Sequence, residues 1–149
     1  MPTIYVDADA CPVKQEVYRV AERYSMRVVL VANAWMRTPH HDWVELQVVS
    51  DGFDAADDWI VEESQAGDIV ITADIPLAAR CLENGAAVLG PKGKDFTEDN
   101  IGDALASREL LATLRDMGTV SGGPAPFDKK DRSRFLQRLD AIIQASRRA

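Results

Sequence analysis

The feature that most restricts how this chain of 149 residues can fold is the alternation of short, β-branched apolar runs with segments of helical period. That text describes successive βαβ units. Parallel strands buried on both faces read as continuous apolar runs, and each needs a crossover helix before the next strand can begin. Strands are predicted over residues 3–6, 27–32, 44–49, 68–72 and 86–89, giving an α/β fold with a mainly parallel, five-stranded sheet. The first helix is predicted over about 12–24, with Cys11 as its cap and Pro12 at the first helical position, where a missing N–H costs nothing. A second covers about 55–65, capped by Asp54 and stopped at Gly67, and a third covers 76–83 before Asn84-Gly85.

Beyond the loop Gly90-Pro91-Lys92-Gly93-Lys94 the chain becomes helical. Thr97-Glu98-Asp99-Asn100 reads as a helix start, and Leu105, Leu110, Leu111 and Leu114 form an apolar stripe up to Met117-Gly118. Residues 121–126 read as a linker or ordered loop. A last amphipathic helix turns Phe135, Leu136, Leu139, Ile142 and Ile143 inward, with its arginines mostly opposite. The length predicts one domain over 1–149, with a core over about 3–94 and a C-terminal helical extension over about 97–149. Cys11 and Cys81 lack metal-finger spacing and are read as reduced thiols. No apolar run approaches the roughly 18–20 residues of a membrane span, and Asp7 and Asp9 stand where a signal peptide would be basic, so a cytoplasmic location is expected.

Charge is unevenly spread. The chain carries −7 from 17 basic and 24 acidic residues, yet residues 128–149 hold seven Lys/Arg against three Asp, a net of +4 that leaves −11 for residues 1–127. An anionic partner is repelled by most of this surface unless metal ions or the basic tail intervene, which excludes a simple electrostatic nucleic-acid clamp.

Polar residues gather just after the predicted carboxyl ends of the strands: Asp7 and Asp9, Asn33, Ser50-Asp51, Thr72 and Asp74, and Lys92. Open α/β sheets bind ligands at that edge, although Asp and Asn also favour turns for local reasons. If the first and fourth strands are neighbours, Asp7 and Asp74 lie side by side. Two carboxylates about 5 Å apart repel by roughly 3 kcal/mol at an effective dielectric of ~20, so such a cluster favours a bound cation or a shared proton. Mg²⁺ or Mn²⁺ suits these hard oxygen donors and can ionise an attacking water. The second helix adds Asp54, Asp57 and Asp58, which also serve as a cap and as partners of the helix dipole. Of these, Asp57 lies beside the Ala56-Trp59-Ile60 stripe and is placed to point inward. His40-His41 falls in a polar loop and reads as exposed; Cys11 reads as packed, with a dipole-lowered pKa as the alternative.

The strings Asp7-Ala8-Asp9-Ala10-Cys11-Pro12, Val31-Ala32-Asn33, Gly52-Phe53-Asp54-Ala55-Ala56-Asp57, Gly67 through Ala79 and Gly122-Gly123-Pro124 resemble the bacterial YaiI/YqxD family, itself uncharacterised, from Ile4 to about Asp140. At the level of fold the chain is similar to PIN-like nucleases, three-layer metal-dependent enzymes that cut RNA with acids at the carboxyl edge of a parallel sheet. The resemblance implies a ribonuclease-like hydrolase acting on single-stranded RNA. It makes Asp7, Asp9, Asp57 and Asp74 candidate catalytic groups, and Asp7, Asp54, Asp57 and Asp74 candidate ligands of Mg²⁺ or Mn²⁺. PIN domains commonly place a glutamate on the helix, where this chain has three aspartates. Candidate substrate contacts are Asn33, Arg37, Thr72 and Lys92 at the edge, and Lys129, Lys130, Arg132 and Arg134 in the tail. Two other readings stand beside this one. Asp7-Ala8-Asp9 also resembles the nucleophile and acid-base pair of a haloacid-dehalogenase-type phosphatase, although there the metal-binding acids follow the Thr strand and here Asp54 and Asp57 precede Thr72. The other is a non-catalytic RNA-binding or regulatory module.

Overall fold

The structure, a computed structural model, describes residues 2–9, 11–50, 52, 54–118 and 126–148. In chain order the elements are β1 (Thr3–Asp7), α1 (Lys14–Tyr24), β2 (Arg27–Ala32), β3 (Val44–Val48), α2 (Ala55–Glu63), β4 (Ile69–Ile71), α3 (Ile75–Glu83), β5 (Ala87–Leu89), β6 (Asp95–Phe96), α4 (Glu98–Asp116) and α5 (Lys129–Arg148). They build one sheet in the order β3-β2-β1-β4-β5-β6. The first five strands run parallel and β6 is antiparallel to β5. The sheet therefore has six strands rather than the five expected. The two residues of β6 are too few to show a period of their own and become a strand only by pairing Phe96 with Val88 and Asp95 with Leu89.

Alternation along the strands divides the core between the two faces of the sheet. Ile4, Val6, Leu30, Ile69 and Ile71 point to the face covered by α1 and α5. Tyr5, Val29, Val31, Val70 and Val88 point to the face covered by α2 and α3, with α4 contributing Ala104. The C-terminal helix belongs to this core: Phe135, Leu139 and Ile143 are fully buried in the first cluster. A Cβ at Gly93, whose φ is +88°, would stand 2.7–2.9 Å from Arg134 and the backbone of Phe135. Only glycine lets α5 seat so closely on the loop after β5.

Several local expectations change. Helix α1 begins at Lys14, with Val13 rather than Cys11 at the cap position and no side-chain cap bond. Asp54 precedes α2 but takes a left-handed conformation (φ 65°) and makes no side-chain cap bond. Helix α2 ends at Glu63 as Ser64 turns extended, before Gly67 is reached, although Gly67 does adopt positive φ (91°) in the following turn. Helix α4 starts as expected, through a reciprocal capping box between Thr97 and Asn100. Its leucine stripe does not face the core. Leu110 and Leu111 are exposed, and α4 is anchored instead by Ala104 and the partly buried Ile101. Gly122-Gly123-Pro124 and Asp51 lie outside the described residues. No described helix is long and apolar enough to cross a membrane.

Because Phe135 is 0% exposed beneath both β1 and α1 residues of its cluster, its loss leaves a cavity that a docked helix fills poorly. Phe135→Ala is expected to lower unfolding free energy by about 3–5 kcal/mol, read as a reduced urea midpoint at unchanged slope.

Candidate functional site

The sheet order contains one reversal. From β1 the chain moves outward to β2 and β3, then returns to the other side of β1 as β4 and continues to β5. Between β1 and β4 the connections leave in opposite directions, which opens a crevice beyond their carboxyl ends. Val6 pairs with Ile71, so the next residues, Asp7 and Thr72, meet at the mouth of that crevice.

Thr72 joins the two strand ends. Its hydroxyl donates to Asp7 Oδ2 (2.9 Å) and accepts from the backbone N–H of Asp74 (2.9 Å). With only 2% of its surface exposed, Thr72 acts within the site as a positioning residue. Asp74 Oδ1 in turn accepts from the N–H of Leu77 (3.0 Å), capping α3. The expected side-by-side pair of Asp7 and Asp74 is thus an arrangement in which Thr72 stands opposite Asp7 and orders both acids. This cap role of Asp74 was missed in the sequence, where Asp74-Ile75-Pro76, an Asp shortly before a first-turn Pro, carries its signal.

Asp9 is exposed, and its Oδ2 accepts from the N–H of Asn33 (3.0 Å). A cavity of about 260 Å³ is walled by Asp7, Asp9, Cys11, Thr72, Asp74 and Pro91. An adjoining one of about 420 Å³ brings Asp54 and Asp57 of the α2 start together with Asp7, Asp9, Asn33 and Asp74. Asp57 is half-buried on this side, while Asp58 is exposed and ion-paired with Arg80 at 2.9 Å, so Asp57 is the inward acid as expected. Arg37 is exposed on the loop before β3 and lines neither cavity. Lys92 is half-buried beside α5, its carbonyl accepting from Arg134 (3.4 Å).

The acids feel one another. Burial pushes the Asp7 carboxyl above its usual range, with Asp74 and Asp9 adding to the shift and the Thr72 hydrogen bond opposing it. Asp57 is pushed up to about 6, first by burial and then by Asp74, Asp7 and Asp54, with Arg80 offsetting part. The Cys11 thiol is pushed up by burial, which removes the lowered-pKa alternative. His41 is exposed and stacks on Trp43 (4.8 Å between ring centroids), away from this chemistry.

An all-carboxylate, mutually repelling donor set fits a hard divalent cation such as Mg²⁺ or Mn²⁺ in charge and donor type. Its spacing is open: among the described residues no three His, Cys, Asp or Glu stand close enough together to hold an ion as they are placed.

The tail cations divide. Arg132 forks onto the buried Glu16, with one contact at 2.9 Å, and Arg134 pairs with Asp131 at 3.2 Å. Lys129 and Lys130 are exposed at the start of α5. The Glu16–Arg132 pair ties α5 to α1. It spans 116 residues, a separation that no local pattern reports.

Fold and site together define an open, doubly wound α/β domain with a carboxylate cluster at its switch point. The sequence profile of the family described as Uncharacterized BCR, YaiI/YqxD matches residues 5–145, and the chain belongs to that family. A UPF0178 protein of Rhodospirillum centenum is 59% identical over 152 aligned residues, covering 99% of both chains. UPF0178 proteins of Sphingopyxis alaskensis (58% over 143 residues, 95% of this chain and 93% of the relative) and Paramagnetospirillum magneticum (55% over 148 residues, 99% and 98%) are similarly close. No solved structure matches the chain.

The raised Asp57 pKa sets a pH dependence. The folded metal-free protein holds this proton up to about pH 6, whereas the unfolded chain releases it near ~4. Between those values the native state binds more protons, so stability falls as pH rises and the full penalty is present above 6. In EDTA, Asp57→Asn is expected to raise the melting temperature at pH 7 and to flatten the gain in stability that the wild type shows on acidification toward pH 5.

Proposed function

We propose that the protein is a PIN-like, metal-dependent nuclease of the cytoplasm that hydrolyses phosphodiester bonds in single-stranded RNA. The observation that carries this reading is the convergence of Asp7, Asp57 and Asp74 from three separate elements on the β1–β4 crevice, where, beside burial, Asp74 raises the pKa of Asp7 and both raise that of Asp57. Asp7, Asp54 and Asp74, drawn closer together than they stand here and with Asp57 beside them, would hold Mg²⁺ or Mn²⁺, which when bound neutralises phosphoryl charge and lowers the pKa of an attacking water.

The chain's own residues do the rest. Thr72 holds the Asp7 carboxylate in one orientation while leaving Oδ1 clear of that bond. Asp57, with a pKa of about 6, suits the removal of a proton from water near neutral pH, since a general base works best when its pKa lies near the operating pH. Asp9 and Asn33 form one rim of the wider cavity and Pro91 lies on the narrower. Exposed Lys129 and Lys130, with Arg134 next to the Lys92 carbonyl, supply positive charge on the loop side. Arg132, engaged by Glu16, positions the helix that carries them.

Asp7→Asn and Asp74→Asn keep the acceptors needed by Thr72 and by the α3 cap while removing the charge. Each is expected to reduce Mn²⁺-dependent cleavage of a single-stranded RNA to background, with apo stability equal to or above the wild type. Retained cleavage in both would overturn the reading. Beryllium fluoride trapped on Asp7 would overturn it too, by showing a phosphoryl acceptor, and RNA binding without cleavage by the wild type would identify a binding module.

A further inference from the structure

On the other side of the loop after β5 a groove of about 440 Å³ runs along α4, walled by Lys94, Arg108 and Arg115 with Asp103, Ser107 and Leu111. We propose that this groove seats the phosphate backbone of a single RNA strand and leads it to the carboxylates of the β1–β4 crevice; the second half of this statement rests on the nuclease reading above.

Three observations support it. First, the groove is a local reversal of charge: three cations face one carboxylate in a chain of net −7 whose first 127 residues carry −11. Charges lining a concave, low-dielectric wall focus their field, so this is where a polyanion is drawn despite the overall repulsion. Second, among the described residues Lys94, Arg108 and Arg115 have no acidic partner, whereas Arg80, Arg132, Arg134 and Arg138 are each bound to an Asp or Glu. Third, the groove adjoins the acidic cavity at two points. Ile75 lines the groove and follows Asp74 in the chain, while Lys94 ends the same short loop whose Pro91 walls the acidic cavity.

The spacing suits a strand. Arg108 and Arg115 are seven residues apart in α4, about two turns or ~10.5 Å along one face, so the two guanidiniums reach different phosphates of one strand. Contacts of this kind hold the backbone without reading bases or sugar, so a deoxy strand of equal length is expected to bind with the same salt dependence.

The test is fluorescence anisotropy of a labelled oligouridylate against the full chain in EDTA, across a salt series. Three phosphate contacts contribute a slope of about −2 in log K against log salt. The variant carrying Lys94→Gln, Arg108→Gln and Arg115→Gln is expected to lose that part of the slope and to bind about a hundredfold more weakly near 0.1 M salt. Arg108→Lys with Arg115→Lys keeps the charge and is expected to retain the slope. A triple variant with wild-type slope and affinity would overturn the groove and leave the nuclease reading standing if the wild type cleaves with Mn²⁺. Groove-dependent binding without Mn²⁺-dependent cleavage would support the groove and overturn its coupling to hydrolysis. No binding of oligouridylate by the wild type at low salt would overturn the proposal outright.

Discussion

The parallel pairing of β1 with β4 is the constraint on which the rest of the structure depends. It puts the first strand at the centre of the sheet, between β2 and β4, and makes the carboxyl ends of β1 and β4 the place where the winding reverses. The register Val6 to Ile71 then determines that Asp7 meets Thr72. A hydrogen bond to a charged acceptor contributes roughly 1.5–3 kcal/mol, which on its own would hold the Asp7 carboxyl below its usual range. Its pKa is raised instead, so burial and the neighbouring Asp74 and Asp9 outweigh that bond. The crevice therefore holds its acids in an arrangement that is unfavourable for their charge and is maintained by the sheet beneath them.

That sheet is covered by a helix from the far end of the chain. Without α5, the face bearing Ile4, Val6, Ile69 and Leu89 would lose Phe135, Leu139 and Ile143. Gly93 allows the close approach, and the pairs Arg132–Glu16 and Arg138–Asp95 fasten the helix to α1 and to β6. The same contacts fix the loop after β5, which borders the acidic cavity through Pro91 and the basic groove through Lys94. Much of the positive charge that the composition assigns to the tail is thus engaged in attaching α5.

The parallel core was legible because its strands are buried on both faces and short-range pattern is sufficient to mark them; β2 was read to the residue, as Arg27–Ala32. β6 was not, since two residues carry no period and their pairing with β5 is set by the turn around Gly93. The α4 leucines misled for the opposite reason. Helical spacing was present, but a stripe faces a core only where one is available, and α4 meets the sheet side through Ala104 and Ile101. At the site, Asp7, Asp57 and Asp74 could be named from the strand ends and from the apolar neighbours of Asp57. What the pattern did not show was the connecting geometry: Thr72 as the bridge and Asp74 as the α3 cap both depend on the β1–β4 pairing or on local backbone conformation. The buried Glu16 and its partner Arg132 are equally non-local.

Segregation of charge gives the molecule its direction. The acids at the crevice and the cations along α4 lie on either side of one short loop, and the acids still repel one another: beyond burial, Asp74 and Asp9 raise the pKa of Asp7, and Asp74, Asp7 and Asp54 raise that of Asp57. A polyanion attracted to the groove is therefore opposed at the crevice. Two like charges about 5 Å apart repel by roughly 3 kcal/mol at an effective dielectric of ~20, which is comparable to what one good charged contact returns. Under the proposed function, the strand and a divalent cation at the crevice would thus favour each other's binding. On that same reading, linkage then requires that whatever factor the cation adds to the affinity for RNA be returned by RNA to the affinity for the cation, with the crevice acids as the groups that couple the two.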